Sequence, residues 1–216
     1  SSIYLSSIDD RFGSMLGISY HRYVDDILCI VSEAEVGFTA EEIERRLKRE
    51  KKLICHPLGT GKSMIMSPEE SVTYLGYSIS RGKVSVREAT EKNLMSSIME
   101  IVFGAQLNDW ERALWRINLR IAGCIISVAH VGWIFYFSQI DDLNLLAKMD
   151  AQICRAIKSR FGADSAQRVK RLVKAYHQAN YNPRDRNYYP AFGLYTRQEM
   201  ERHLELLAPG RFRNLA

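Results

Sequence analysis

The stretch Tyr20-His21-Arg22-Tyr23-Val24-Asp25-Asp26-Ile27-Leu28-Cys29-Ile30-Val31 sets two carboxylates side by side between two runs of strand-forming residues. Ile18, Tyr20, Tyr23 and Val24 lead in, and Ile27, Leu28, Ile30 and Val31 lead out, so residues 18–24 and 27–31 read as a β-hairpin. Two like charges about 4 Å apart repel by roughly 1 kcal/mol in bulk water and roughly 4 kcal/mol at an effective dielectric of about 20. A turn selected for stability alone would use Asn-Gly or Asp-Gly, which accept the backbone angles such turns need. Asp25 and Asp26 therefore read in two ways. They form a plain surface turn, where aspartate is common, or they are ligands of a hard divalent cation, which removes the repulsion.

Around this hairpin lies a chain of ordinary globular composition. It has 216 residues, 46% hydrophobic and 25% charged, enough for one large domain or two small ones with a real core. No apolar run of about 20 residues is uninterrupted, so no membrane span is expected, and no signal-peptide pattern opens the chain. The most apolar stretch, Ile121 to Ile140, is broken by Ser127, His130 and Gln139 and reads as a buried helix pair. The four cysteines (Cys29, Cys55, Cys124, Cys154) form no CxxC pairs and read as reduced core residues of a cytoplasmic protein rather than a zinc site. The five histidines show no metal-ligand spacing.

The charge is uneven. Residues 151–216 hold 13 lysines or arginines against 5 acids, a balance of +8 in a chain whose total is +5. A basic C-terminal third suits a surface that follows a polyanion. Within it, the loop Tyr181 to Tyr189 mixes cation and aromatic through Arg184, Arg186 and Tyr188, as single-strand binders do. A structured connector would have the same composition.

Further elements follow from pattern. Thr39 with Glu42 reads as a capping box opening a helix striped by Ile43, Leu47 and Ile54 and closed at His56-Pro57. Lys62–Met66 and Val72–Ile79 read as strands, with a turn at Arg81-Gly82 and a return over Lys83–Val86. From about residue 87 the pattern is helical. One helix carries Leu94, Ile98, Ile101 and Val102 to Gly104, and a second starts at Asn108 with Glu111 and carries Leu114, Ile117 and Ile121. A third runs from Asp141 to Gly162, a basic amphipathic one covers 165–178, and a last is capped by Thr196 with Glu199. Leu58 to Ser63 is not a P-loop: His56 stands where the first glycine belongs, and a strand rather than a helix is expected to follow.

Taken together, the motifs resemble those of the bacterial reverse transcriptase family, which includes group II intron, retron and defence-associated enzymes. Arg22-Tyr23-Val24-Asp25-Asp26 followed by Ile27-Leu28 is similar to its catalytic Arg-Tyr-x-Asp-Asp segment, and Tyr4-Leu5 with Ile8-Asp9 to the end of the helix before it. In order downstream, Gly61-Lys62 matches the fourth palm motif, Tyr74-Leu75-Gly76-Tyr77 the primer grip, and Gly132-Trp133 with Tyr136-Phe137 an intron-type thumb. The resemblance covers residues 1 to about 160.

What the resemblance implies is an α+β chain: the C-terminal part of a palm at 1–86, an all-helical thumb at 87–162 and a basic helical extension at 163–216. It implies RNA-directed DNA synthesis with two Mg²⁺ ions (or Mn²⁺) on Asp25 and Asp26. Tyr23, Val24 and Tyr74 to Tyr77 would contact primer and template, and Lys62 would protonate the leaving pyrophosphate or hold the triphosphate. Trp110, Trp115 and Trp133 are expected in the thumb core. The partners implied are an RNA template, a DNA or RNA primer and dNTPs. The family needs another aspartate on a strand before this hairpin, together with fingers, so the expectation is a longer polymerase whose N-terminal portion completes the site. By itself the chain is not expected to polymerise. Two alternatives stay open: a non-catalytic palm and thumb kept as a nucleic-acid-binding scaffold, and a template-independent DNA polymerase of an antiviral defence system.

Overall fold

In the computed structural model, which describes residues 3–207, the chain is α+β. Helix α1 (Ser6–Gly13) buries Ile8 and Phe12 on one face. Strand β1 (Ser19–Tyr23) then pairs antiparallel with β2 (Asp26–Ile30), in register from Ser19 opposite Ile30 to Tyr23 opposite Asp26. A short 3-10 turn at Glu33–Glu35 leads into helix α2 (Val36–Lys51). Leu5, Ile8, Phe12 and Leu47 form the core here, with Tyr20, Ile27 and Ile43 against it, and the Phe12 and Tyr20 rings stack 5.8 Å apart.

Helix α2 departs from expectation at both ends. It begins three residues before Thr39, whose hydroxyl is buried inside the helix without a hydrogen-bond partner. Glu42 turns away from the capping role because Arg45 and Arg46, three and four residues on, take its carboxylate at 2.6 and 2.5 Å. The helix stops at Lys51, where Lys52 adopts φ 56° and the Leu53 N–H returns to the Leu47 carbonyl at 3.0 Å, which leaves Ile54 exposed. The strand expected at Lys62–Met66 is likewise a loop, holding only an isolated bridge between Leu58 and Ser63. Gly59 and Gly61, both at positive φ, turn the backbone there.

A three-stranded sheet follows, in the order β3 (Val72–Tyr74), β4 (Tyr77–Ser80), β5 (Lys83–Val86). The single strand expected over 72–79 is a hairpin, because Leu75 and Gly76 both take positive φ, 51° and 82°. That pair of angles is the two-residue type I′ turn. The division of the chain into two compact units runs through this sheet: Ser1–Leu75 with Ile79–Arg81 make one, Gly76–Ser78 with Gly82–Ala216 the other.

The second unit is mostly helical: α3 (Glu88–Gly104), α4 (Trp110–Ala122), a hairpin of β6 (Cys124–Ile126) and β7 (Ala129–Val131), the short α5 (Trp133–Tyr136), α6 (Leu143–Phe161), α7 (Ala163–Gln167), α8 (Leu172–Tyr181) and α9 (Arg197–Leu207). Its core runs through Ile98, Val102, Ile117, Ile121, Ile134, Leu146, Met149, Ile153 and Ile157, and on into Leu172 and Ala175. Each of the Ile, Val, Leu and Met side chains contributes roughly 1.5–3 kcal/mol on burial. Helices α7 and α8, in the expected extension from residue 163, thus share one core with α3 to α6. Trp110 lies on Phe161 at 4.4 Å, Trp133 on Phe137 at 5.0 Å and Trp115 beside Phe192 at 6.2 Å, all packed within the fold.

Three local expectations are corrected in this unit. The apolar stretch 121–140 is a helix end, a β-hairpin and a short helix, because Gly123 and Gly132 bring their backbones together. A Cβ on Gly132 would stand 2.6 Å from the Gly123 Cα. Asn108 lies in a 3-10 turn (Leu107–Asp109) and α4 starts at Trp110. The basic helix expected over 165–178 is split into α7 and α8. The cause lies on α6, where the Asp150 carboxylate accepts from the Leu172 and Val173 N–H groups at 2.7 and 3.1 Å and restarts the helix at Leu172. The capping box at α9 is as expected: Thr196 and Glu199 exchange hydrogen bonds in both directions. All four cysteines are free, and no helix among the described residues is long and apolar enough to cross a membrane.

Candidate functional site

The tip of the β1–β2 hairpin is a two-residue turn, Val24-Asp25. Val24 sits at φ 57°, the left-handed region that a β-branched residue rarely enters and that costs about 1–2 kcal/mol. Asp25 and Asp26 are exposed beside it, as are Tyr23 and Val24. The turn is held from below. Arg22, its side chain only 8% exposed, donates through Nε and Nη2 to the two oxygens of Asp9 on α1, at 2.6 and 2.5 Å. Its Nη1 donates to the Val24 carbonyl at 2.5 Å. Tyr20 donates to the same Asp9 carboxylate at 2.9 Å. The guanidinium holds the Asp9 carboxyl below its ordinary range, while burial and the neighbouring carboxylate push the Tyr20 hydroxyl up. Charge-assisted, two-pronged pairs of this kind fix geometry as well as energy.

Two adjacent exposed carboxylates suit a hard cation that takes one or two carboxylates and completes its sphere with water and phosphate oxygens. Among the described residues no group of three or more His, Cys, Asp or Glu is arranged to hold a metal. Asp25 and Asp26 thus fit part of a Mg²⁺ or Mn²⁺ ligand set, with water and phosphate oxygens suited to the remaining positions.

The other candidates fall in three places. Lys62 is exposed in the loop after α2 and forms no ion pair with Asp25 or Asp26 among the described residues. Tyr74, Leu75, Gly76 and Tyr77 make the turn between β3 and β4 and are all half-buried. Gly76 is required there twice over, since its φ of 82° disfavours a side chain and a Cβ would approach the Phe137 ring to 3.2 Å. Its carbonyl accepts from the Arg87 N–H at 2.8 Å. Tyr77 donates to the Tyr136 carbonyl at 2.5 Å, stacks on the Tyr136 ring and meets Phe137 edge-on at 5.0 Å. The Gly-Tyr half of the turn is therefore seated on the Tyr136-Phe137 pair, 59 residues away in sequence.

In the loop 182–190, after α8, Arg184 and Arg186 are exposed. Tyr188 is instead packed on the core, its ring covered by the Lys170 ammonium at 4.3 Å and its carbonyl taken by the same group. Asp185 organises the segment, accepting from the N–H groups of Asn187, Tyr188 and Tyr189. Asp9 and Asp150 were missed as organising residues. Each acts on a partner 13 or 22 residues away, and no local pattern marks such a contact. No protein-family model matches the chain, and no curated protein shows significant similarity to it.

Proposed function

We propose that this chain carries the catalytic carboxylate hairpin, primer grip and thumb of an RNA-directed DNA polymerase of the bacterial reverse transcriptase type. The observation that carries the reading is the Asp25–Asp26 pair, displayed on a hairpin turn strained at Val24 and bolted to α1 through Arg22 and Asp9. A turn that only connected two strands would not need the strain or the repulsion. Supporting it, the Gly76-Tyr77 and Tyr136-Phe137 segments that carry the family resemblance pack on one another.

In the reaction, the 3′-oxygen of a primer forms a bond to the α-phosphorus of a dNTP and the bond to the bridging oxygen breaks, releasing pyrophosphate. Divalent cations supply a lowered pKa for the attacking hydroxyl and charge stabilisation for the leaving group. Asp25, with Asp26 second, contributes carboxylate oxygens to hold them. Tyr23, Val24 and the turn Tyr74 to Tyr77 position the primer strand, the hydroxyl proton leaves to solvent, and Lys62 protonates the departing pyrophosphate or holds the triphosphate. The cytoplasm is the compartment where template and dNTPs are supplied.

The test is extension of a primed RNA template by the native gene product and by its Asp25→Asn variant. The reading predicts dNTP incorporation that the variant loses. Equal incorporation by both contradicts the metal role, and none from either leaves a binding scaffold in its place.

A further inference from the structure

On the second unit, one face of α8, with Asp150 from the middle of α6, borders an open groove of about 460 Å³. Its lining includes Asp150, Arg171, Lys174, His177, Gln178 and Tyr181. Four of these recur at steps of three or four residues along the helix, so they stand on one side of it. The side chains combine two chemistries. Arg171 and Lys174 bring positive charge to one end. His177 and Tyr181 stack their rings at 6.1 Å with planes only 17° apart at the other, and Tyr181 is 75% exposed.

From this arrangement we infer that the α8 groove binds single-stranded nucleic acid, with a base stacked on Tyr181 and the backbone phosphates on Lys174 and Arg171. Cations beside an exposed aromatic platform are the working parts of sequence-tolerant single-strand binders. The one acid in the groove does not oppose this. Asp150 is buried and its two oxygens already accept from the Leu172 and Val173 N–H groups, with Arg171 nearby. The cation–aromatic mixture visible in the sequence at 181–189 is thereby relocated: Tyr188 is consumed by the core, and Tyr181 serves with the helix before it.

This inference stands apart from the polymerase reading, and its test separates the two. A short fluorescein-labelled oligouridine is titrated with the whole chain and with its Tyr181→Ala, Tyr181→Phe and Lys174→Gln variants. Both altered α8 side chains are exposed, so circular dichroism should be unchanged. Tyr181→Ala should weaken binding by roughly tenfold, within the range measured for base–aromatic stacking, and Tyr181→Phe should restore it. Lys174→Gln should reduce the slope of log Kd against log salt by about 0.7, one single-strand phosphate contact. Binding is read without dNTPs, so the result stands or falls independently of any polymerase activity. An unchanged Kd for Tyr181→Ala, or a salt slope unmoved by Lys174→Gln, overturns the assignment.

Discussion

Arg22 and Asp9 meet through two parallel hydrogen bonds of 2.6 and 2.5 Å, and the third arm of the same guanidinium reaches the Val24 carbonyl. One arginine thus ties a helix to the turn that presents Asp25 and Asp26. Its removal should loosen the turn and leave the Asp9 carboxylate half-buried without its main partner. Arg22→Ala is expected to cost about 1–3 kcal/mol of stability, the usual loss for a charged hydrogen-bonded partner, read as a lower denaturant midpoint.

The same pair gives a pH dependence with a defined sign. Arg22 holds the folded-state pKa of Asp9 below its unfolded value of about 3.9. The contribution is therefore fully present above that unfolded value and is lost as pH falls through the depressed folded one. Stability measured from pH 7 down to pH 2 should fall more steeply for the parent than for Asp9→Asn, which starts lower but has no carboxylate to protonate.

Val24 is a β-branched residue in the left-handed region. Val24→Gly should raise stability by about 1 kcal/mol, the strain relieved less the extra chain entropy of glycine. If the residue also contacts a primer end, the same variant loses activity while gaining stability, and comparing melting with primer extension distinguishes strain kept for function from strain alone.

Gly76 and Gly132 predict the opposite outcome. Gly76→Ala must move the Phe137 ring and accept φ 82°, and should destabilise by about 1–3 kcal/mol. Gly132→Ala meets backbone rather than a side chain, at 2.6 Å from the Gly123 Cα, so its loss should be the larger of the two in thermal unfolding.

The hairpin was legible because strand propensity is a local property, but its turn lies one residue earlier than the sequence suggested: Val24 leaves the first strand for the turn and Asp26 joins the second, opposite Tyr23. The helices of the second unit were legible for the same reason, through Leu94 to Val102 and Leu145 to Ile157. What escaped were features set by distant partners. Asp150 splits a continuous amphipathic pattern because it captures the N–H groups that open α8. Gly123 and Gly132 turn an apolar run into a hairpin because their backbones touch. The Thr39–Glu42 box was outcompeted by Arg45 and Arg46. At the site itself, the carboxylate pair was plain in the sequence, whereas the Asp9–Arg22 support that positions it depends on a contact across 13 residues.

The central claim, that the Asp25–Asp26 pair at the hairpin tip receives a divalent cation, is tested most directly by paramagnetic broadening of amide resonances as Mn²⁺ is added to the whole chain. Broadening should concentrate at Tyr23 to Ile27, be reversed by excess Mg²⁺ and be absent in the Asp25→Asn, Asp26→Asn double variant. Broadening spread evenly over surface carboxylates, or unchanged at the turn in the double variant, would contradict it.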